Sequence, residues 1–308
     1  MKTMRRQRGV ALLIALLVVA LATIILAGLL DRGELVAART RNLLRDEQVE
    51  EFRLGLEAYA SQVLIRDLDE GQNDANGDLW SMPLPPTPVP GGTLNATMRD
   101  LDGCFNLNNL LPTATPDNSP LWKARFRNLL TSLELDPLIA DAVTDWIDAN
   151  RDPVENGAED NVYLSNMPSY RAANRPFVHA SELRLVRGVG AVAYAKLAPN
   201  VCVLPAGSAL NLNTAPPAVL RSLSTSITEA MAQRLWHGGQ ARWMAKSSFL
   251  EELKTLGVVL PDEPTLGVQS HYFLLSGFVE LDDISYATTT VLKRDHGIQV
   301  LQRSRAGQ

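Results

Sequence analysis

Oxygen-bearing side chains between residues 145 and 160 form the part of this 308-residue sequence with the clearest capacity to bind a ligand. Asp148, Asn150 and Asp152 alternate along one short segment. Alternating carboxylate and amide oxygens on a tight loop suit a hard cation such as Ca²⁺. The segment departs from the EF-hand pattern, because Pro153 takes the sixth position, where that loop needs a glycine. These residues therefore predict a calcium site outside the EF-hand class.

Further carboxylates flank this segment and enlarge the candidate site. Asp145 lies one helical turn before Asp148, so both can face the same ion. The predicted ligands are Asp145, Asp148, Asn150, Asp152, Glu155, Glu159 and Asp160. Carboxylates this dense repel one another if they are unpaired, so some cation must lie nearby. That cation is either Ca²⁺ or one of the neighbouring arginines, which are Arg151, Arg171 and Arg175.

A second and shorter group of oxygen ligands lies in the segment NDANGDLW. Asp74, Asn76 and Asp78 have the same alternating spacing. The alternative is a solvated turn, in which Asn and Asp side chains bond to the nearby backbone. This segment is a weaker candidate for Ca²⁺ than residues 145–160.

The elements that must position these side chains begin with a long N-terminal helix. Four cations stand in the first eight residues. Residues 10–30 follow without a charge, and at about 1.5 Å per residue they span roughly 30 Å, the thickness of a bilayer core. Residues 31–66 contain no proline and keep apolar residues at helical spacing, so the helix continues beyond the bilayer. The basic start predicts a cytoplasmic N-terminus, with the rest of the chain on the outer side.

The remaining sequence predicts an α+β protein. Residues 67–108 combine a polar, proline-rich loop at 69–92 with the strands of a hairpin at 93–108, where Asp-Gly marks the turn. Residues 109–206 form a helical block, and residues 207–308 add a second helical segment and two or three terminal strands. If the strands on both sides share one sheet, the helical block is a domain inserted in that sheet.

Cys104 and Cys202 are the two cysteines of the sequence, and they flank the helical block. On the outer side of the membrane they enter an oxidising compartment. They either form one disulfide that closes a loop of about a hundred residues, or they remain two buried free thiols.

Composition and motifs argue against an enzyme and against a nucleic-acid-binding protein. The net charge is −5, whereas phosphate binding needs a cationic surface. Residues 183–199 and 210–235 resemble the helix-hairpin-helix units of DNA-uptake proteins, but the second unit has Ser-Thr-Ser at 224–226 instead of a glycine turn. The four histidines lack metal-ligand spacing, and the sequence has no nucleotide-binding or hydrolase motif. The helical hairpins are therefore predicted to serve packing.

The N-terminal stretch RGVALLIALLVVA resembles the class III signal of type IV pilin-like proteins, a short basic leader that ends in glycine directly before an apolar helix. The resemblance implies that a prepilin peptidase removes residues 1–9, cutting between Gly9 and Val10, and methylates the new N-terminus. Most pilins and pseudopilins have glutamate at the fifth mature position, which is Ile14 here. In that family the glutamate is thought to neutralise the terminal amine of a neighbouring subunit. A carboxylate within the bilayer is costly without a partner, so an apolar residue suits the first, tip-most subunit of a fibre.

Four further segments resemble the type II secretion system protein K family of large minor pseudopilins. They are DGCFNLNNL at 102–110, DWIDANRDPVENGAEDNVYL at 145–164, YRAANRPFVHASELRLVRGV at 170–189 and LNLNTAPPAVLRSL at 210–223. The resemblance covers nearly the whole chain. It implies a pseudopilin fold with a helical domain inserted in the sheet, and calcium binding in that domain.

The same resemblance implies a place in the bacterial inner membrane and at the tip of a pseudopilus, which exports folded proteins. The implied partners are the I-type and J-type minor pseudopilins, with the H type as a further candidate, the major pseudopilin fibre and the prepilin peptidase. Nucleic acid is not among them. The alternative is a minor pilin or a DNA-uptake helix-hairpin-helix protein of a type IV pilus system, which would share the anchor.

Overall fold

A single long helix forms the N-terminal end of the structure. The computed structural model describes residues 8–71, 73–112 and 117–305. Helix α1 spans Arg8–Glu70, which is 63 residues, and so extends beyond the predicted end at residue 66. Within the described ranges it is the one helix that is long and apolar enough to cross a membrane.

The rest of the chain alternates short strands and helices. The strands are β1 (Leu84–Val89), β2 (Gly92–Asp100), β3 (Phe105–Asn106), β4 (Val201–Cys202), β5 (Leu210–Asn211), β6 (Leu266–Gly267), β7 (Tyr272–Leu281), β8 (Ile284–Arg294) and β9 (Ile298–Arg305). The helices after α1 are α2 (Ser119–Ser132), α3 (Ile139–Ile147), α4 (Asp160–Tyr163), α5 (Ala191–Leu197), α6 (Pro217–Ser222), α7 (Glu229–Trp236) and α8 (Lys246–Thr255). Short 3₁₀ turns lie at Leu79–Ser81, Leu107–Leu110, Ala180–Leu185 and His237–Gly239. The α+β class predicted from the sequence is confirmed.

Five strands form one antiparallel sheet in the order β1-β2-β7-β8-β9. Strand β2 pairs with β7 from Gly92↔Leu281 to Asp100↔Phe273, although all of the helices after α1 lie between these strands in the chain. The helical region is therefore an insertion into the sheet. It leaves the sheet after β2 and returns to it at β7.

Helix α1 packs on one face of this sheet through an apolar core. Its members are Leu56, Ala60, Val63, Leu64, Trp80, Ala96, Phe273, Leu275 and Leu292. Gly277 allows a close approach, because a Cβ at that position would lie 2.7 Å from Leu56 Cδ1. Burying each large apolar side chain contributes about 1.5–3 kcal/mol, so this core fixes the C-terminal part of α1 to the sheet.

The first strand lies where the sequence predicts a loop. The loop prediction for 69–92 is wrong over 84–89, which form β1 although three of these six residues are prolines. An edge strand tolerates proline, because the missing N–H would have faced outward. The hairpin turn lies at Pro90–Gly91, where Gly91 has a φ of +86°, and not at the predicted Asp102–Gly103.

The helical region has one core that crosses the predicted boundary at 206–207. Side chains from both sides of that boundary share one apolar cluster, which includes Phe105, Trp122, Phe126, Val219, Leu220 and Phe249. Two short parallel strand pairs, β3–β4 and β5–β6, belong to the same region. The boundary is wrong, because both segments that flank the polar stretch Pro-Ala-Gly-Ser bury their apolar residues together. We call residues 105–267 the helical body.

Candidate functional site

Helix α3 delivers the first two candidate ligands to the interior of the helical body. Asp145 lies within α3 and is fully buried, and Asp148 follows the last turn of the helix. Both Asp145 carboxylate oxygens accept the backbone N–H of Val154, at 3.2 and 3.3 Å. A Cβ on Gly157 would lie 1.8 Å from Asp145 Oδ2. The loop after α3 therefore folds back over Asp145, and glycine is required where it passes the carboxylate.

Glu159 brings a third carboxylate to this place without hydrogen-bond partners. Its side chain is 2% exposed, and both Oε atoms lack a partner in the described part of the chain, as does Asp148 Oδ1. Burial, and then the negative charges of Asp145, Asp148 and Asp160, raise the pKa of Glu159 to about 7. Burial is also the main cause that raises the pKa of Asp145 and of Asp148. A buried carboxylate without partners is costly, so this cluster needs either a proton or a cation.

The unpartnered oxygens fit a hard cation, because Ca²⁺ takes about six to eight oxygen ligands. Asp148 and Glu159 stand at the first and twelfth positions of a twelve-residue stretch. The twelfth position of an EF-hand loop holds its bidentate glutamate. Sequence reasoning missed this spacing, although the sequence contains it. Within the described ranges no three Asp, Glu, His or Cys side chains already stand as a closed ligand set, so a bound ion would have to draw these carboxylates together.

Three predicted ligands lie outside the buried cluster. Asn150, Asp152 and Glu155 are exposed on the loop after α3. Asn150 Oδ1 accepts the backbone N–H of Asp152 at 2.7 Å, which is the local turn contact typical of asparagine. The alternating spacing of these residues is therefore explained by the turn.

The neighbouring arginines do not neutralise the cluster. Asp160 accepts the N–H of Ala172 at 3.1 Å, and its other oxygen lies 3.5 Å from Arg171. Arg175 pairs with Glu182 at 3.1 Å. These pairs leave the oxygens of the buried glutamate in the cluster without a partner in the described part of the chain, so Arg171 and Arg175 do not neutralise it. The nearby charge of Lys123 acts on Asp148.

The shorter acidic segment is paired with arginines. Asp74 forms an ion pair with Arg294, and Asp78 forms one with Arg242. Arg242 belongs to the helical body, whereas Arg294 ends β8. The segment after α1 therefore uses its charges to contact both the sheet and the helical body.

A disulfide joins Cys104 to Cys202, whose Cα atoms are 5.8 Å apart. Both cysteines are buried in a small cluster with Leu101 and Tyr272. Of the two states that the sequence leaves open, the structure contains the bonded one.

The predicted processing site lies at the edge of the described residues. Residues 1–7 of the leader lie outside them, and α1 begins at Arg8, so the predicted cut between Gly9 and Val10 falls at the start of the helix. Ile14 is exposed, like its apolar neighbours in this part of α1. A helix that exposes apolar side chains on every side suits a lipid environment.

A long helix with an apolar N-terminal part that packs on an antiparallel sheet defines a pilin-like class of protein. A family model described as type II secretion system (T2SS), protein K matches residues 103–206. The type II secretion system protein K of Pseudomonas aeruginosa is 36% identical over 97% of this chain and 93% of its own length. That of Aeromonas hydrophila is 32% identical over 100% of this chain and 99% of its own length. The chain belongs to the type II secretion system protein K family.

A solved structure has the same fold. One chain of the crystal structure of the GspK-GspI-GspJ complex from the type 2 secretion system of enterotoxigenic Escherichia coli has a TM-score of 0.73 to this structure. The match covers 88% of this chain and 100% of that chain, at 26% identity. The family and the fold inferred from the sequence are both confirmed.

Proposed function

We propose that this chain is a minor pseudopilin at the tip of the type II secretion pseudopilus, where it initiates and caps assembly for the export of folded proteins. The carrying observation is the match of the whole chain to protein K sequences, together with the fold shared with a chain of the GspK-GspI-GspJ complex. The proposed partners are therefore the I-type and J-type minor pseudopilins, with the H type and the major pseudopilin fibre below them. The role is associative, not catalytic.

The architecture supports a place at one end of a fibre. The helical body between β2 and β7 makes the head of the molecule much larger than a helix and a sheet alone. A head of this size fits once, at an end, and hinders the addition of a subunit above it. Ile14 agrees with this position, because a tip subunit has no neighbouring amine above it to neutralise.

The part of α1 between the membrane and the sheet supplies a contact surface. Leu35, Val36, Leu43 and Leu44 are all more than half exposed. The helix first meets the sheet near Arg45, which pairs with the β7–β8 turn. Exposed apolar side chains on a helix outside the lipid favour packing against another helix. Helices of the partner subunits are therefore proposed to pack on this segment.

Co-expression of the full-length chain with the I-type and J-type minor pseudopilins of the same secretion system tests the proposal. After detergent extraction, the three proteins should leave a size-exclusion column together. The double substitution V36E/L43E should reduce co-elution at least about tenfold, because two buried unpaired charges at a helix contact cost more than about 1.4 kcal/mol.

Arg41→Glu is the matched control. It places a negative charge on nearly the opposite side of the same helix, at 100° per residue, and should leave the complex intact. A wild-type chain that elutes apart from both partners would contradict the tip assignment.

We also propose that the chain is a single-pass protein of the inner membrane, with its N-terminus in the cytoplasm and its sheet and helical body in the periplasm. A prepilin peptidase would cut after Gly9 and methylate Val10, and α1 would be retained. Mass spectrometry of the protein purified from membranes should give an N-terminal peptide that begins with methylated Val10. A mature N-terminus beyond residue 27 would remove most of the membrane helix and contradict the proposal.

Calcium is the proposed ligand of the buried carboxylates in the helical body. Asp145, Asp148 and Glu159 would hold the ion, which neutralises their charges. Its role would be structural, because it would tie the loop after α3 to that helix.

A further inference from the structure

Four carboxylates and one guanidinium are buried together where the sheet meets the helical body. The exposed fractions are 8% for Asp67, 2% for Asp74, 6% for Asp100, 3% for Asp102 and 4% for Arg294. If all four carboxylates are ionised, the one guanidinium leaves an excess of negative charge. Excess buried charge is costly, so the group cannot be fully ionised without a loss of stability.

Arg294 is committed to two of the four carboxylates. Its Nη1 donates to Asp67 Oδ2 at 3.0 Å, and its Nη2 donates to Asp74 and to the carbonyl oxygen of Ser270. Its guanidinium also lies over the ring of Phe273, 4.9 Å from the centroid. The positive charge of Arg294 therefore balances the carboxylates of Asp67 and Asp74, on the side of the group that faces α1.

Asp100 receives its hydrogen bonds from neutral donors, two of which belong to the helical body. Asp100 Oδ2 accepts Thr214 Oγ1 and, at 3.2 Å, Asn211 Nδ2. Asp100 Oδ1 accepts the backbone N–H of Asp102 at 2.7 Å. The Ser270 hydroxyl, just before β7, also hydrogen-bonds to this carboxylate. Asp100 is thus held both by side chains near β5 and by the start of β7.

Asp102 is held by the start of β7. Its Oδ2 accepts the backbone N–H of His271 and, at 2.9 Å, that of Tyr272. Both of these donors meet Oδ2, which leaves Oδ1 as the oxygen that can carry a proton. Asp102 also lines a cavity of about 350 Å³ together with residues 205–209, through which a proton can exchange with solvent.

The other charged groups around the pair do not balance it. Arg99 precedes Asp100 in β2 and is attracted to it electrostatically, but alternate strand residues point to opposite faces of the sheet, so its charge does not enter the buried group. Arg242 is paired with Asp78. The ring of His271 is exposed, and residues 205–214, which approach from the helical body, contain no ionisable side chain.

We propose that Asp100 and Asp102 keep at least one proton between them at neutral pH, and that its loss weakens the junction between the sheet and the helical body. Side chains of the helical body and Ser270 hold the Asp100 carboxylate, and backbone N–H groups at the start of β7 hold that of Asp102. Repulsion between two ionised carboxylates would therefore act at the junction, where the helical body and β7 supply these donors. The contact between the sheet and the helical body is therefore pH-sensitive and more stable in acid.

The electrostatics of the pair agree with this geometry. Burial, and then the charge of Asp100, raise the pKa of Asp102 to about 8, and burial raises the pKa of Asp100 to about 6. An aspartate in an unfolded chain titrates near pH ~3.9. The native state thus binds more protons than the unfolded state between that value and about pH 8. The pair contributes most to the free energy of unfolding below this pH range. Its contribution falls as pH rises through the range and is constant above it.

Asp102→Asn tests the proposal, because an amide mimics the protonated carboxyl and never ionises. The full-length chain in detergent is unfolded thermally at a series of pH values between about 5 and 9. The wild-type midpoint should fall with rising pH more steeply than that of D102N. The difference reports the titration of the Asp100–Asp102 pair, because every group outside the pair is the same in both proteins. Asp295→Asn, an exposed neighbour of Arg294, should keep the wild-type slope.

Two further measurements distinguish this pH-sensitive contact from a general loss of stability. The infrared band of a protonated carboxyl at pH 7 should be present in the wild type and reduced in D102N. The Asn211 amide donates to the Asp102 carbonyl at 2.8 Å. Its exchange protection should fall up to about a hundredfold more in the wild type than in D102N between pH 6 and pH 9, because each of the two pH units between 6 and the pKa of about 8 corresponds to a tenfold change. If D102N does not fold, Asp100→Asn takes its place in all three measurements. Equal pH slopes and equal infrared bands in wild type and variant would overturn the proposal.

Discussion

At the scale of single residues, the acidic side chains between residues 145 and 160 differ in burial. Asp145 and Glu159 are buried in the helical body and Asp148 is half-buried beside them, whereas Asp152 and Glu155 are exposed. Helix α3 causes the difference for Asp145 and Asp148, since residues three apart lie on one helix face. Glu159 comes close to Asp145 and Asp148 only because the loop folds back over the end of that helix.

Calcium should raise the stability of the wild-type chain but not that of Glu159→Gln. At a calcium concentration a hundredfold above the dissociation constant, one site adds about 2.7 kcal/mol. In chelator, wild-type stability from Glu159 should fall as pH rises from the ordinary glutamate value toward about 7, because the buried carboxyl must then ionise. Thermal melting with calcium and with chelator, at pH 5 and pH 8, measures both effects.

Glu155→Gln is the control for this prediction, because Glu155 is exposed on the same loop. Its response to calcium should equal that of the wild type. A wild-type midpoint that is the same in calcium and in chelator would remove the metal site.

At the scale of elements, a buried ionic group complements the apolar core between α1 and the sheet. Glu57 accepts Arg303 Nε and Nη2, each at 3.0 Å, and Thr290 Oγ1 at 2.8 Å. Arg53, one turn earlier on α1, also donates to it. Burial alone would raise the pKa of Glu57, but the hydrogen bonds from Arg303 and Thr290 outweigh it and lower the pKa. This residue therefore links α1 to β8 and β9 together.

Glu57→Ala should destabilise the chain by about 3 kcal/mol, because removal of one partner leaves buried charge uncompensated. Urea unfolding of the full-length protein in detergent measures the loss. Glu51→Ala, at an exposed position of the same helix, should change stability by no more than about 0.5 kcal/mol. Equal midpoints for the two variants would show that the ionic group does not hold the helix.

At the scale of the whole molecule, two separate apolar cores are joined at the place where the chain leaves the sheet. One core lies between α1 and the sheet, and the other fills the helical body. The Cys104–Cys202 disulfide lies in a small cluster with Tyr272, the first residue of β7. The crosslink therefore fastens the helical body beside its own attachment points.

Reduction of this disulfide should cost the native state up to roughly 4–5 kcal/mol, because the bond closes a long loop in the unfolded chain. The two cysteines are 98 residues apart. Denaturant unfolding with and without a reductant should show the shift in the wild type. The variant C104A/C202A should unfold at the lower midpoint in both conditions. A wild type that is indifferent to reductant would contradict this account.

The elements with strong periodicity could be predicted from the sequence, and those that depend on neighbours could not. The apolar run and its proline-free continuation predict α1, and the terminal alternation predicts the last strands. Strand β1 was missed, because its prolines are acceptable only at a sheet edge, and nothing local defines that edge. The boundary at 206–207 was misplaced for a related reason, since a polar turn looks the same inside a domain as between two domains.

The sequence by itself determined the long N-terminal helix, the α+β class and the family, because hydrophobic period and local motifs are encoded in neighbouring residues. Tertiary structure decided which carboxylates are buried, which arginines they meet and how the two cores join. Burial and the electrostatics that follow from it depend on groups far apart in the chain, such as Asp100 and Thr214 or Glu57 and Arg303. The chemistry of this protein therefore follows from those long-range contacts.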